Sequence, residues 1–265
     1  MFNYDNTADL MIKEVGTEQR GDVTIRDLSF VGVQGQAPIN AYLVVPQGAG
    51  SFAGILWVHW LGEEHSNRTQ FLDEAVALAP KGVVSLLVDA MWSKAGWYEN
   101  RVPAEDYRNS IEQVITLRRA MDVLMAQPNV DTARIGFVGH DYGGMYGSIM
   151  AGVDPRAVTY VLIAVTPSLN DWAFFAAQPD SKPAYIRQNA DLELTDYIHR
   201  VTNASVFFQF AEKDIYISRT GTAIFFAAAN EPRQRQWYAA DHSMNVSEAK
   251  ADRAAWLIEK LALTK

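Results

Sequence analysis

Cysteine is absent from the 265 residues. That absence excludes disulfides, a thiolate nucleophile and any zinc or iron–sulfur site built on cysteine. Positive charge is in deficit as well: 23 Lys and Arg face 31 Asp and Glu, a net charge of -8. Neither nucleic acid nor an anionic membrane is expected as a partner on electrostatic grounds. Long apolar runs are missing, and Ala157 to Val165, among the longest, falls well short of the roughly 20 residues that span a bilayer. Met1 to Asp5 lacks the basic segment and apolar core of a secretory leader, and Asp9 and Lys13 interrupt the stretch that follows. A cytoplasmic protein is the expectation. Repeats, low-complexity stretches and Gly/Ser linkers are also lacking, so one domain over residues 1–265 is expected.

What is present has period. Val23 to Phe30 and Ile39 to Val45 read as two strands of a hairpin joined through Gly32-Val33-Gln34-Gly35. From Ile55 onward, short continuous apolar runs alternate with segments of helical spacing, the pattern of parallel strands covered on both faces. The runs are Ile55 to Val58, Val83 to Val88, Ile135 to Val138, Tyr160 to Val165, Val206 to Phe210 and Gln236 to Ala239. Helices are predicted over Gln70 to Leu78, around Tyr107 to Leu124, over Tyr142 to Met150, over Ala223 to Ala229, and from Val246 to Leu263. Pro167 to Asn203 is the least regular stretch.

The most informative segment is Arg134-Ile135-Gly136-Phe137-Val138-Gly139-His140-Asp141-Tyr142-Gly143-Gly144. A strand runs into Gly-x-Asp-x-Gly-Gly and a helical pattern follows at once. Here the chain resembles the α/β-hydrolase superfamily, whose nucleophile elbow is usually Gly-x-Ser-x-Gly, with Asp141 standing where serine commonly stands. The alternative is a plain strand–helix turn in which Asp141 caps the helix and His140 packs as an ordinary histidine.

The resemblance implies an α/β-hydrolase fold: a mostly parallel sheet, an N-terminal antiparallel hairpin and helices on both faces. It also implies an acid after a late strand and a histidine after the last one. Asp214 follows Val206 to Phe210, and His242 follows Trp237 to Ala239. Glu212 and Asp241 are alternative acids. His59-Trp60-Leu61-Gly62 stands at the oxyanion loop, so the backbone N–H of Trp60 or Leu61, with that of Tyr142, would bind a developing oxyanion. His59, Trp92, Trp97, Tyr98 and Trp172 are the candidates for contacting substrate. His59-x-x-Gly62 with Phe71-Leu72-x-Glu74-Ala75 and Leu78-Ala79-x-x-Gly82 is similar to dienelactone hydrolases, whereas Gly-His-Asp-Tyr-Gly-Gly resembles epoxide hydrolases and haloalkane dehalogenases. Those two capped families carry a sizeable helical domain over the site; Pro167 to Asn203 leaves room only for a short lid-like excursion. Its Trp172, Phe174, Phe175, Tyr185 and Tyr197 suit a small lid or a partner surface, and a homodimer is a state the sequence allows.

Aspartate changes the chemistry. A free carboxyl has a pKa near 3.9, so at neutral pH it is an ionised oxygen nucleophile that needs no base. Attack on saturated carbon would open an epoxide or expel a halide and leave an alkyl ester on Asp141; water activated by His242, oriented by Asp214, would then hydrolyse it. The expected function is a cofactor-free hydrolase of a small molecule, epoxide ahead of halide. A carboxylic ester or lactone hydrolase is the second reading, and a silent binding protein on the same fold the third. Tyrosine hydroxyls would assist an epoxide and indole N–H groups a halide. His59, His65, His140 and Asp141 lack zinc-ligand spacing, and Gly143-Gly144 is followed by no phosphate-loop lysine, so neither a metal nor a nucleotide is expected.

Overall fold

The computed structural model describes residues 1–174 and 178–264. One sheet holds nine strands: β1 (Lys13–Arg20), β2 (Val23–Phe30), β3 (Ile39–Pro46), β4 (Phe52–Val58), β5 (Val83–Val88), β6 (Val130–His140), β7 (Thr159–Ile163), β8 (Ser205–Ala211) and β9 (Arg233–Tyr238). Their spatial order is β1-β2-β3-β5-β4-β6-β7-β8-β9. The first four strands in that order pair antiparallel, and from β5 to β9 all pairing is parallel.

Side chains alternate across this sheet as the pleat requires. Leu56, Val58, Leu86, Phe137, Leu162 and Phe208 enter one core; Ile55, Trp57, Leu87, Val138, Val161 and Phe207 enter the other. Helices α2 (Asp106–Met125) and α3 (Tyr142–Val153) close the first core, while α1 (Leu72–Leu78) and α8 (Ser247–Lys260) close the second. Burial on both faces is why β4, β5 and β8 read as predominantly apolar runs, interrupted only by buried Ser85 in β5 and by Ser205 and Gln209 in β8, each fully buried aliphatic or phenyl side chain contributing roughly 1.5–3 kcal/mol. Helix α7 (Arg219–Ala228) lies between β8 and β9 in the chain. No helix of the described residues is long and apolar enough to cross a membrane.

Two features depart from the expected elements. β1 extends the hairpin to three antiparallel strands; all eight of its residues are exposed, so it has no buried face to print an alternation in the sequence. The segment between β7 and β8 forms α4 (Asn170–Ala173), α5 (Lys182–Gln188) and α6 (Leu194–Ile198), and no cap domain is evident among the described residues. Phe175 lies outside them.

Chain direction fixes where a site falls. From β4 the chain moves to β5 on one side, then crosses to β6 on the other. The carboxyl ends of β4 and β6 therefore flank the switch point of an open parallel sheet, where their outgoing loops diverge and leave a crevice.

Candidate active site

Asp141 is the single residue between β6 and α3, with φ 54° and ψ -118°. Such a conformation costs about 1–3 kcal/mol and persists only where its surroundings over-determine it. They do so here: the Asp141 N–H donates to the Ile163 carbonyl at 2.8 Å, and its own carbonyl accepts the Met145 N–H at 2.8 Å. A β-carbon on Gly143 would lie 2.3 Å from the Val58 carbonyl oxygen, and one on Gly139 would lie 2.5 Å from that of Gly143. Both positions require glycine because the turn presses backbone on backbone. The Asp141 side chain ends up fully buried.

Asp214 and His242 arrive from the ends of β8 and β9. One Asp214 oxygen accepts the N–H groups of Tyr216 at 2.9 Å and Ile217 at 3.0 Å, which fixes its loop. The other lies 2.8 Å from His242 Nδ1. Across the ring, His242 Nε2 is 3.5 Å from Asp141 Oδ1. An imidazole is thus held between two carboxylates. Burial opposes its charging, but the Asp141 carboxylate beside Nε2 and the hydrogen-bonded Asp214 carboxylate on Nδ1 outweigh burial and push its pKa up to about 9. Neither alternative acid takes that place: Asp241 caps the Ser243 N–H at 3.0 Å, and Glu212 is exposed.

Of the two amides at the Trp60–Leu61 loop, one faces Asp141. Leu61 N–H donates to Asp141 Oδ2 at 3.0 Å. Trp60 N–H instead donates to Gln70 Oε1 at 2.8 Å, so Trp60 is corrected as an oxyanion donor. Tyr142 opens α3, where a helix's first N–H groups have no acceptor within the helix. His59 is also corrected: it does not line the crevice but sits behind the loop. Its Nε2 accepts the Ala90 N–H at 3.0 Å, and its Nδ1 bonds the Trp60 carbonyl at 2.7 Å. Burial lowers its pKa to about 4, so it is a neutral brace.

A groove of about 1250 Å³ is lined by Trp60, Leu61, Trp92, Trp97, Tyr98, Trp172 and His242. The four predicted aromatic contacts therefore do meet there. Two of them have their polar hydrogens engaged elsewhere: Trp92 Nε1–H points at the Trp60 carbonyl at 3.1 Å, and the Tyr98 hydroxyl donates to the Trp172 carbonyl. They serve as walls. Trp172 and Tyr216 flank the His242 ring at centroid distances of 5.4 and 5.0 Å. Tyr216 was not predicted, although it follows Asp214 by two residues in a loop bound to reach the site. Arg101 ties the segment between β7 and β8 to the rest of the fold, donating to the Ala173 carbonyl and pairing with buried Asp106 at 2.9 Å, where the Tyr185 hydroxyl also donates at 2.7 Å.

Sheet order, with the sharp strand–helix turn at Asp141 after β6, defines the α/β-hydrolase fold. Solved structures agree on it. An acetyl xylan esterase from Paenibacillus sp. R4 superposes with a TM-score of 0.80 at 16% identity, covering 96% of this chain and 90% of that one. Acetyl xylan esterase 1 from Thermoanaerobacterium sp. JW/SL YS485 gives a TM-score of 0.76 at 16% identity over 97% and 89%. A chain assigned as a dienelactone hydrolase from Klebsiella pneumoniae subsp. pneumoniae MGH 78578 gives 0.66 at 17% identity over 91% and 99%. No protein-family model matches the sequence, and no curated protein matches it.

Proposed function

We propose that the protein is a cofactor-free hydrolase in which Asp141 is the nucleophile and saturated carbon the electrophile, an epoxide or an alkyl halide. One observation carries this reading: the oxyanion donor is already on the enzyme's own carboxylate, Leu61 N–H to Asp141 Oδ2 at 3.0 Å. Oδ1 is left as the attacking oxygen beside His242. Its lone pair forms a C–O bond as the C–halogen or C–O bond of the substrate breaks, leaving an alkyl ester whose carbonyl oxygen is Oδ2. Water then adds to the Asp141 carboxyl carbon, giving its proton to His242, and the oxyanion that forms on Oδ2 lies where Leu61 N–H already points. Collapse breaks the bond to Oδ1, which leaves as part of the alcohol and takes a proton from His242. The new carboxyl, one oxygen of which comes from water, gives its remaining proton to His242, which restores the carboxylate–imidazolium pair.

His242 fits the second step by charge. In the resting site Asp141 holds the imidazolium; esterification removes that negative charge and the proton affinity drops, so the ring gives its proton to the alkoxide of an opened epoxide, or to solvent water after halide departure, and becomes the base only once there is an ester to hydrolyse.

A second reading, hydrolysis of a carboxylic ester or lactone, is favoured by the company the fold keeps: the structural neighbours named above are esterases and a dienelactone hydrolase. On the comparisons alone it stands ahead of the first. Its difficulty lies in the site, since an acyl carbonyl would have to displace Asp141 Oδ2 from the Leu61 amide.

One experiment separates them. His242→Gln, incubated with epoxides, alkyl halides and esters and read by intact mass spectrometry, is expected to retain an alkyl adduct on the Asp141 peptide. An ester-derived acyl group, or esterase activity that appears or rises in Asp141→Ser with no alkyl adduct in any panel member, overturns the first reading.

A further inference from the structure

Gln70 sits ten residues beyond the oxyanion loop, just before α1, and is half-buried on the groove wall. Its amide has one acceptor and two donors, and the structure uses both kinds. Oε1 accepts the Trp60 N–H at 2.8 Å. That fixes the amide's orientation, so Nε2 is the atom facing His140 Nδ1, at 2.6 Å. An N–H donor there requires a bare lone pair on Nδ1, which puts the His140 proton on Nε2. Nε2 lies 2.9 Å from the carbonyl oxygen of His242 and donates to it. Burial drives the His140 pKa well below its ordinary value, so the ring is neutral and its tautomer fully specified. The Trp60 indole stacks on that ring at 5.1 Å and 9°.

Three loops from three strand ends are therefore joined by one side chain and one neutral imidazole: the oxyanion loop after β4, the elbow after β6 and the base loop after β9. We infer that Gln70, acting through His140, is a positioning residue that selects Leu61 N–H as the oxyanion donor and sets His242 against Asp141. The selection is by occupancy. Gln70 holds the Trp60 amide away from the nucleophile, so the next amide along turns toward Asp141 Oδ2. The inference rests on the reading of Asp141 and His242 as the reacting pair, and its test is separable from that reading.

Two variants split the two bonds. Gln70→Met removes both. Gln70→Glu keeps an acceptor for Trp60 N–H but offers no donor to His140, so a proton is drawn to His140 Nδ1. Imidazole ¹⁵N shifts, read without any substrate, should report Nδ1 unprotonated and Nε2 protonated in the wild type, and a protonated Nδ1 in Gln70→Glu. Exchange of the Leu61 amide should quicken about tenfold or more in Gln70→Met and stay near wild type in Gln70→Glu, because only the first frees the Trp60 loop. With a turned-over substrate, the single-turnover rate of intermediate hydrolysis should fall about 10–100-fold in Gln70→Met, with KM moving far less, as expected for a misplacement of about an ångström. An unchanged His140 tautomer in Gln70→Glu, or Leu61 exchange that does not respond to Gln70→Met, overturns the positioning role whatever the activity. Shifts and exchange that move as described while no substrate ever labels Asp141 support the positioning role and fail the reading of the reaction.

Discussion

Replacing Asp141 by Asn removes one of the two charges that hold the His242 proton and keeps the side chain's size. The rise of the His242 pKa from 6.5 to about 9 is worth about 3 kcal/mol at roughly 1.4 kcal/mol per pH unit. Because the native pKa lies above the unfolded one, that stabilisation is complete below pH 6.5 and is lost as pH rises through 9. Urea unfolding of the wild type at pH 6 and pH 10 should show a loss of that order from this site, and imidazole NMR should place the His242 midpoint near 9. In Asp141→Asn, burial works against Asp214 alone, so the midpoint should drop by at least about one pH unit. The stability difference between the two pH values should shrink with it. Asn at this position has the charge of the alkyl ester, so the measured drop is also the degree to which esterification would free His242 to act as a base. A wild-type midpoint at or below 7, or an Asp141→Asn midpoint equal to the wild type, refutes the reasoning.

Gly143→Ala puts a β-carbon 2.3 Å from the Val58 carbonyl oxygen; since backbone cannot rotate aside, a loss of about 3 kcal/mol or more is expected, and a denaturant midpoint close to wild type would contradict the elbow packing. Arg101→Met leaves Asp106 buried without its cation, with an expected loss of about 3–5 kcal/mol at neutral pH. Burial already raises the Asp106 pKa, so this loss should lessen toward acid pH as the carboxyl takes up a proton; a pH-independent loss would show that the unpaired Asp106 charge is not its cause.

Much of the scaffold was legible because sheet burial prints itself in sequence. The runs at Ile55, Val83 and Val206 are continuous because helices cover both faces of the strands. β1 was not legible, since eight exposed residues carry no such print. At the site, the elbow is a local device: Gly139, Asp141 and Gly143 are spaced by the turn itself. Asp214 and His242 were singled out by the family resemblance, from their positions after the late strands, and the structure brings both to Asp141.

By itself, then, the sequence determined the fold, through period and glycine spacing, and the resemblance it carries singled out Asp141, Asp214 and His242, which the folded chain brings together. Which amide faces the carboxylate was decided only by the tertiary structure. Trp60 and Leu61 are adjacent and offer identical N–H groups; the choice is made by Gln70, whose amide takes one and leaves the other. The same holds for His59, Trp92 and Tyr98: their residue types suggest contact with substrate, but their polar atoms are turned to backbone carbonyls and amides. Hydrogen-bond partners distant in sequence compete for each polar atom, and only the folded chain settles that competition.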